Sequence, residues 1–179
     1  MKEYYEFVYG QYIESQIYYA VKIIDSLTVY LAESNPERYF LDSQLCLNLI
    51  TNIANVLDSR VKRDRSKHLV EFFEISLNEV STILNHDIRN TNEHYDERMD
   101  DLIELSRVTL NRKDVGNIKK LMSTLQVNDL TGYADVDNGI IYSINRKLER
   151  ISIELQVVRR ELLYIVDKIH KKIEYTKSY

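Results

Sequence analysis

The stretch that decides the fold is Leu84–Ile103, LNHDIRNTNEHYDERMDDLI. It contains neither Gly nor Pro, and Leu84, Ile88, Tyr95, Met99 and Leu102 recur at the spacing that stacks side chains on one face of an α-helix. That face is expected to be core. At about 100° per residue, the opposite arc carries two polar stripes, Arg89–Glu93–Glu97 and Asn90–His94–Arg98. So many ionisable groups on one arc require either water or a partner. This helix, expected from about Thr82 to Ser106, is therefore the candidate site.

Outward from it, the chain reads as helices. Of its 179 residues 44% are hydrophobic and 29% charged, which describes a globular domain with a sizeable core. Four Gly and one Pro are too few for a sandwich or barrel. A first helix is expected over 3–33, with Phe7, Ile13, Ile17, Val21, Ile24, Leu27 and Leu31 as its apolar stripe. Ser34-Asn35-Pro36 stops it and starts the next, with Asn35 as N-cap and Pro36 in the first turn. The second helix runs to about Leu57 on Leu41, Leu45, Leu49, Ile53 and Val56, and pairs with the first in antiparallel fashion.

Asp58–Lys67, DSRVKRDRSK, holds five basic residues among its ten. It reads as a solvated loop or helix end, the alternative being a patch that contacts phosphate. Ser66 is the expected cap of a short third helix carrying Leu69, Val70, Phe72, Phe73 and Ile75, and the pattern breaks through Ser76–Ser81. Residues 107–147 are the least regular. Asn138-Gly139 before Ile140–Ile144 is a hairpin signal, with either Leu148–Ile153 or Tyr133–Val136 as the partner strand. A final helix follows from the near-heptad Leu155, Val158, Leu162, Ile165, Ile169 and Ile173. The expected fold is mainly α, a bundle of about four to five helices with a small β-hairpin insertion, in a single domain over 1–179.

Composition also bounds function. The net charge of −4 argues against a general polyanion binder. Its distribution is uneven: residues 1–106 carry 10 Lys and Arg against 19 Asp and Glu, and residues 107–179 carry 14 against 9. Such asymmetry permits a basic surface or charge complementarity between subunits. The single Cys46 lies among Leu45, Leu47 and Leu49 and reads as a buried structural thiol, which fits a reducing, cytoplasmic setting. No segment resembles a signal peptide or membrane span, so no membrane role is expected.

A Gly-rich phosphate loop, a His-Glu-x-x-His pair and a Cys cluster are all absent. His86, Asp87, His94 and Asp96 do not share one helix face, so neither a metal site nor any cofactor is expected. What remains is Arg89-Asn90-Thr91-Asn92-Glu93-His94. An imidazole can move a proton at an RNA 2′-hydroxyl or leaving oxygen, and a guanidinium can stabilise the extra charge on phosphorus. Arg89 and His94 lie about 140° apart on one helix, so they converge on a phosphate only in a cleft, most naturally where two subunits bring this helix together.

The Arg-polar-x3-His spacing resembles the hallmark of the HEPN superfamily. The longer string RNTNEHYDERMDDLI is similar to a bacterial group with an Arg-Asn-x-x-Glu-His-aromatic-Asp-Glu-Arg core, matched here by Arg89, Asn90, Glu93, His94, Tyr95, Asp96, Glu97 and Arg98. The resemblance implies a helical bundle that dimerises through the 82–106 helix. It also implies a metal-independent endoribonuclease of toxin or phage-defence type, with RNA as substrate and an antitoxin protein as partner. Arg89 and His94 would be catalytic, with Asn90, Glu93, Asp96, Glu97 and Arg98 supporting them. Other members bind RNA, nucleotides or protein without cutting, and that non-catalytic module is the alternative. A salt-bridged helix face that builds a dimer is a third. The acidic surround of Asp87, Glu93, Asp96, Glu97, Asp100 and Asp101 would repel phosphate unless a second subunit offset it. A second short match, Arg63-Asp64-x3-His68, is set aside because it is expected to straddle a polar connection and a helix start.

Overall fold

The structure is a computed structural model and describes residues 2–33, 36–93, 115–116, 134–135, 138–144 and 150–177. The chain is mainly helical with a small β-sheet. In order come α1 (Lys2–Glu33), α2 (Pro36–Leu57), α3 (Arg63–Phe72), a 3-10 turn (Leu77–Val80) and α4 (His86–Glu93). Strands β1 (Val115–Gly116), β2 (Ala134–Asp135), β3 (Ile140–Ile144) and β4 (Arg150–Glu154) follow, and α5 (Leu155–Lys177) closes the series. No described helix is long and apolar enough to cross a membrane. The proposed cap Asn35 and residues 94–106 of the expected central helix lie outside the described residues.

On α1 the inward series is Glu6, Gly10, Ile13, Ile17, Ala20, Ile24 and Leu27, alternating steps of four and three that keep one face in register. Phe7, expected inside, is 38% exposed, and the phase it suggested belongs to Glu6 and Gly10. Gly10 permits close approach. A Cβ there would stand 3.2 Å from Phe73 Cζ, 3.4 Å from Ile173 Cδ1 and 3.5 Å from Ile169 Cγ2. Helix α5 therefore runs tight along α1 and antiparallel to it. Arg159 Nε donates to Asp25 Oδ1 at 2.7 Å near one end, and His170 Nε2 lies 2.7 Å from Glu14 Oε1 towards the other.

Helix α2 buries Ile53 and Val56 of its expected stripe and half-buries Leu49, but turns the two leucines that begin the series outward. Leu41 is 65% exposed and Leu45 49%, while Ser43, Cys46, Leu47, Ile50, Ile53, Ala54 and Leu57 are buried. Residues spaced strictly by four advance about 40° per step, so Leu41 sits about 120° around the helix from Ile53. Cys46 is fully buried, as expected, and burial pushes its thiol up to about 12.

The core joins Ile13, Ile17 and Ile24 of α1 to Ile50 and Ile53 of α2, Leu69 of α3, and Val158, Leu162 and Ile165 of α5. After α3, Glu74 takes φ 56°, and Ile75 N–H returns to Val70 O at 3.0 Å, a left-handed helix stop.

Asn138-Gly139 makes the turn that was expected, with Gly139 at φ +63° and Asn138 Nδ2 donating to Asp135 Oδ2 at 2.8 Å. Both anticipated partners of Ile140–Ile144 occur. Strand β3 pairs antiparallel with β4 from Ile140↔Glu154 to Ile144↔Arg150, and antiparallel with β2 through Ala134↔Ile141. Strand β1 adds in parallel to β2, giving the order β1-β2-β3-β4. No loop separates β4 from α5, and Leu155 N–H donates to Gly139 O at 2.9 Å. Helix α4 packs against α2 and against β3 and β4.

Candidate functional site

Helix α4 begins at His86, four residues later than the apolar pattern suggested. Asn85 Oδ1 accepts from Asp87 N–H at 2.8 Å, so Asn85 is the N-cap, and Asp87 suits the positive end of the helix. The residues before it form turns rather than helix. Glu161, only 4% exposed, reaches across from α5 and accepts from Thr82 N–H at 3.1 Å and Ile83 N–H at 2.8 Å. Ile88 is buried, which fixes the phase of α4 as the sequence implied.

That phase sends the next residue, Arg89, towards the end of α2. Arg89 is 5% exposed. Its Nη1 donates to Asp58 O at 2.9 Å and lies 4.0 Å from Asp58 Oδ2, while its Nη2 donates to His86 Nδ1. A guanidinium only donates, so Nδ1 of His86 is the acceptor and the ring proton sits on Nε2. Nε2 faces Asp58 Oδ2 at 3.4 Å. Asp58, His86 and Arg89 thus form a closed triangle in which each member orients the other two.

Of the residues singled out in the sequence, Arg89 and a half-buried Asn90 stand on α4, and Glu93 is its last described residue. His94, Asp96, Glu97 and Arg98 lie outside the described residues. No cluster of three or more His, Cys, Asp or Glu that could hold a metal occurs among the described residues. Arg89's observed partners, Asp58 and His86, were not foreseen for it. His86 was within reach of sequence reasoning, because i and i+3 share a helix face. Asp58 was not, since only folding brings it across thirty-one positions.

Asp58 and His86, with Arg89 buried behind them, line one side of an open cleft of about 580 Å³. Leu57, Val70 and Leu77 supply apolar lining, and Arg60, Arg63 and Lys67 supply positive charge. The backbone between α2 and α3 is firmly held. Ser66, buried inside α3, donates to Val56 O at 2.8 Å and accepts from Ser59 N–H at 2.9 Å, while Arg65 Nη2 donates to Asn55 O at 2.7 Å. This corrects the expected capping role of Ser66. Helix α3 starts at Arg63, and its N-cap Lys62 makes no side-chain cap bond.

The second Arg–His match also changes meaning. Arg63, Asp64 and His68 lie on one uninterrupted helix rather than across a break. Arg63 lines the cleft, whereas His68 Nε2 turns to the buried Glu6 Oε1 at 2.7 Å. About 140° separates them around α3, so they serve two different surfaces.

Comparison with protein families, with curated proteins and with solved structures found no match to the chain.

Proposed function

We propose that the chain is a HEPN-like protein that cleaves RNA without a metal and acts as a homodimer. The observation that carries this is the place of Arg89. The arginine of the Arg-x4-His spacing holds His86 and Asp58 in the wall of an open cleft whose other polar walls include Arg60, Arg63 and Lys67. In the reaction, a ribose 2′-oxygen forms a bond to the adjacent phosphorus and the bond from phosphorus to the 5′-oxygen breaks. His94 takes the proton from the 2′-hydroxyl while water protonates the departing 5′-oxygen, or His94 protonates the 5′-oxygen while water takes the 2′-hydroxyl proton. Arg89 stabilises the charge that builds on phosphorus, directly or through the ring it orients. Asn90 and Glu93 orient the pair, and Asp96, Glu97 and Arg98 support them. The second copy brings its own motif helix, which begins at His86, and so supplies the cleft that two groups about 140° apart on one helix require. In a toxin or phage-defence setting, an antitoxin protein would hold the activity in check.

The test is degradation of a defined RNA in the presence of a chelator. Wild type is expected to cut it, while Arg89→Ala and His94→Ala proteins with native circular dichroism do not. Full activity in both variants would end this reading. Because Arg89 is buried, Arg89→Lys serves as a milder companion. It keeps the charge but loses the planar fork.

A second reading has its own support. Both terminal nitrogens of Arg89 are already engaged, so the residue can act as a strut in a non-catalytic RNA-, nucleotide- or protein-binding dimer. That reading expects Arg89→Ala to shift the monomer–dimer balance in sedimentation while wild type turns over no RNA.

A further inference from the structure

Among the described residues, two concave surfaces with basic side chains use their charges differently. In a hollow of about 390 Å³ formed by Phe73, Glu74, Lys168, Lys171 and Lys172, the lysines are committed. Lys171 Nζ donates to Asp167 at 2.7 Å, Lys172 Nζ donates to Glu74 at 2.8 Å, and Lys168 sits over the Tyr164 ring. In the cleft at α3 the acids are the committed partners. Asp58 is turned to His86 and Arg89 at 3.4 and 4.0 Å, and Glu71 Oε1 lies 3.9 Å from Lys67 Nζ. That leaves Arg60 and Arg63, whose side chains have no ion-pair or hydrogen-bond partner among the described residues.

We infer that this cleft is the seat of an RNA strand's backbone, with Arg60 and Arg63 on its phosphates and Lys67 as a third contact. The inference rests on the reading that RNA is the ligand, and it names where the strand lies relative to the Arg89 helix. Uncompensated arginines on one concave wall suit phosphate, whose oxygens match the guanidinium fork. Arg63 and Lys67 are four apart on α3, so they form a short row along the cleft and not a single point. The apolar lining of Leu57, Val70 and Leu77 accepts sugars and base edges without dictating sequence, and among the described residues no Phe, Tyr or Trp lines the cleft to stack a base. The contact is therefore one of backbone charge, insensitive to sequence and sensitive to salt. The overall charge of −4 makes the local cluster the source of attraction.

The test uses a fluorescent 2′-O-methyl oligoribonucleotide of roughly 12 nucleotides, a length within the usual range for strand-binding surfaces. It lacks the free 2′-hydroxyl, so anisotropy reads binding in the absence of cutting. The double variant Arg60→Ala/Arg63→Ala should bind roughly tenfold more weakly or worse. Its salt slope should fall by about 0.7 for each lost phosphate contact. Glu71→Gln, which removes the acid beside Lys67, should tighten binding, and Lys168→Ala/Lys171→Ala should leave it unchanged. Equal affinity of the double variant and wild type overturns the inference. So does complete displacement of the probe by inorganic phosphate at constant ionic strength, where an equal ionic strength of chloride does not displace it, which would mark an isolated anion pocket. Binding that depends on Arg60 and Arg63 without cleavage of ordinary RNA sustains the cleft and removes the nuclease reading. Cleavage that persists in the double variant does the reverse.

Discussion

Glu161 and Arg89 make the instructive pair in this molecule. Each is a charged side chain with about one-twentieth of its surface exposed, and each fixes the backbone of a connection. Glu161 takes two amide hydrogens in the turn that leads into α4, and Arg89 gives one hydrogen to the carbonyl that ends α2. The settings differ. The groups that Glu161 holds include a buried Ile83, whereas Arg89's partners Asp58 and His86 line an open cleft. Burial of a charge alone therefore does not mark a site. What matters is whether the groups it organises face packed side chains or water.

Three substitutions and one titration can break or sharpen that contrast. Glu161→Ala should have the largest effect, because it strands two backbone donors where little water reaches them. We expect a loss of about 3 kcal/mol in urea unfolding, and a melting temperature lower by roughly 10 °C. Arg89→Met should cost about 1–2 kcal/mol, since Asp58 is half-exposed and rehydrates. On the proposed nuclease reading, RNA cleavage should nevertheless disappear. If Arg89→Met destabilises as much as Glu161→Ala, the two residues are both struts and the contrast collapses. His86→Ala should change stability by about 0.5 kcal/mol or less. Binding of the uncleavable probe should fall modestly as Asp58 loses its orientation.

The titration concerns Cys46, whose buried thiol titrates well above neutral pH. Its folded value of about 12 lies above the ordinary thiol value of 9.0, so the unfolded chain releases this proton first. The stability tied to the neutral thiol is complete below about pH 9 and is lost as pH rises towards 12. Cys46→Ala should show a shallower decline of stability across that window, measured as unfolding midpoint against pH. A thiol reagent should label wild type only once it unfolds.

Much of the helix layout was legible in the sequence, because Pro36, Asn138-Gly139 and the heptad from Leu155 act through local sterics and periodicity. The helix faces were less so. The leucines of α2 drift around the helix, and the face that α1 covers is set by Ser43, Cys46 and Ile50 as much as by any leucine. On α1, Glu6 and Gly10 carry the inward stripe because Phe73, Ile169 and Ile173 approach closely there, information held on other helices. The start of α4 was readable from Asn85 as a cap, but the turn before it depends on a carboxylate seventy-eight residues from Ile83. The candidate motif located Arg89 correctly on a helix. Its burial against Asp58 follows from the end of α2, which no local pattern encodes.

The antiparallel seam between α1 and α5 has a consequence for how the chain reaches this state. Asp25 meets Arg159 across 134 positions, and Glu14 meets His170 across 156. Such a seam closes a very long loop, and most of that ordering entropy is lost before the contact can reward it. During synthesis the α1–α2 pair can form early and Phe73 can reach Gly10, but the side of Gly10 that Ile169 and Ile173 cover stays open until α5 has been made. Closure of this seam is thus timed by α5, and a chain halted before Leu155 would present the Ile13–Ile17–Ile24 face of α1 with no α5 to cover it.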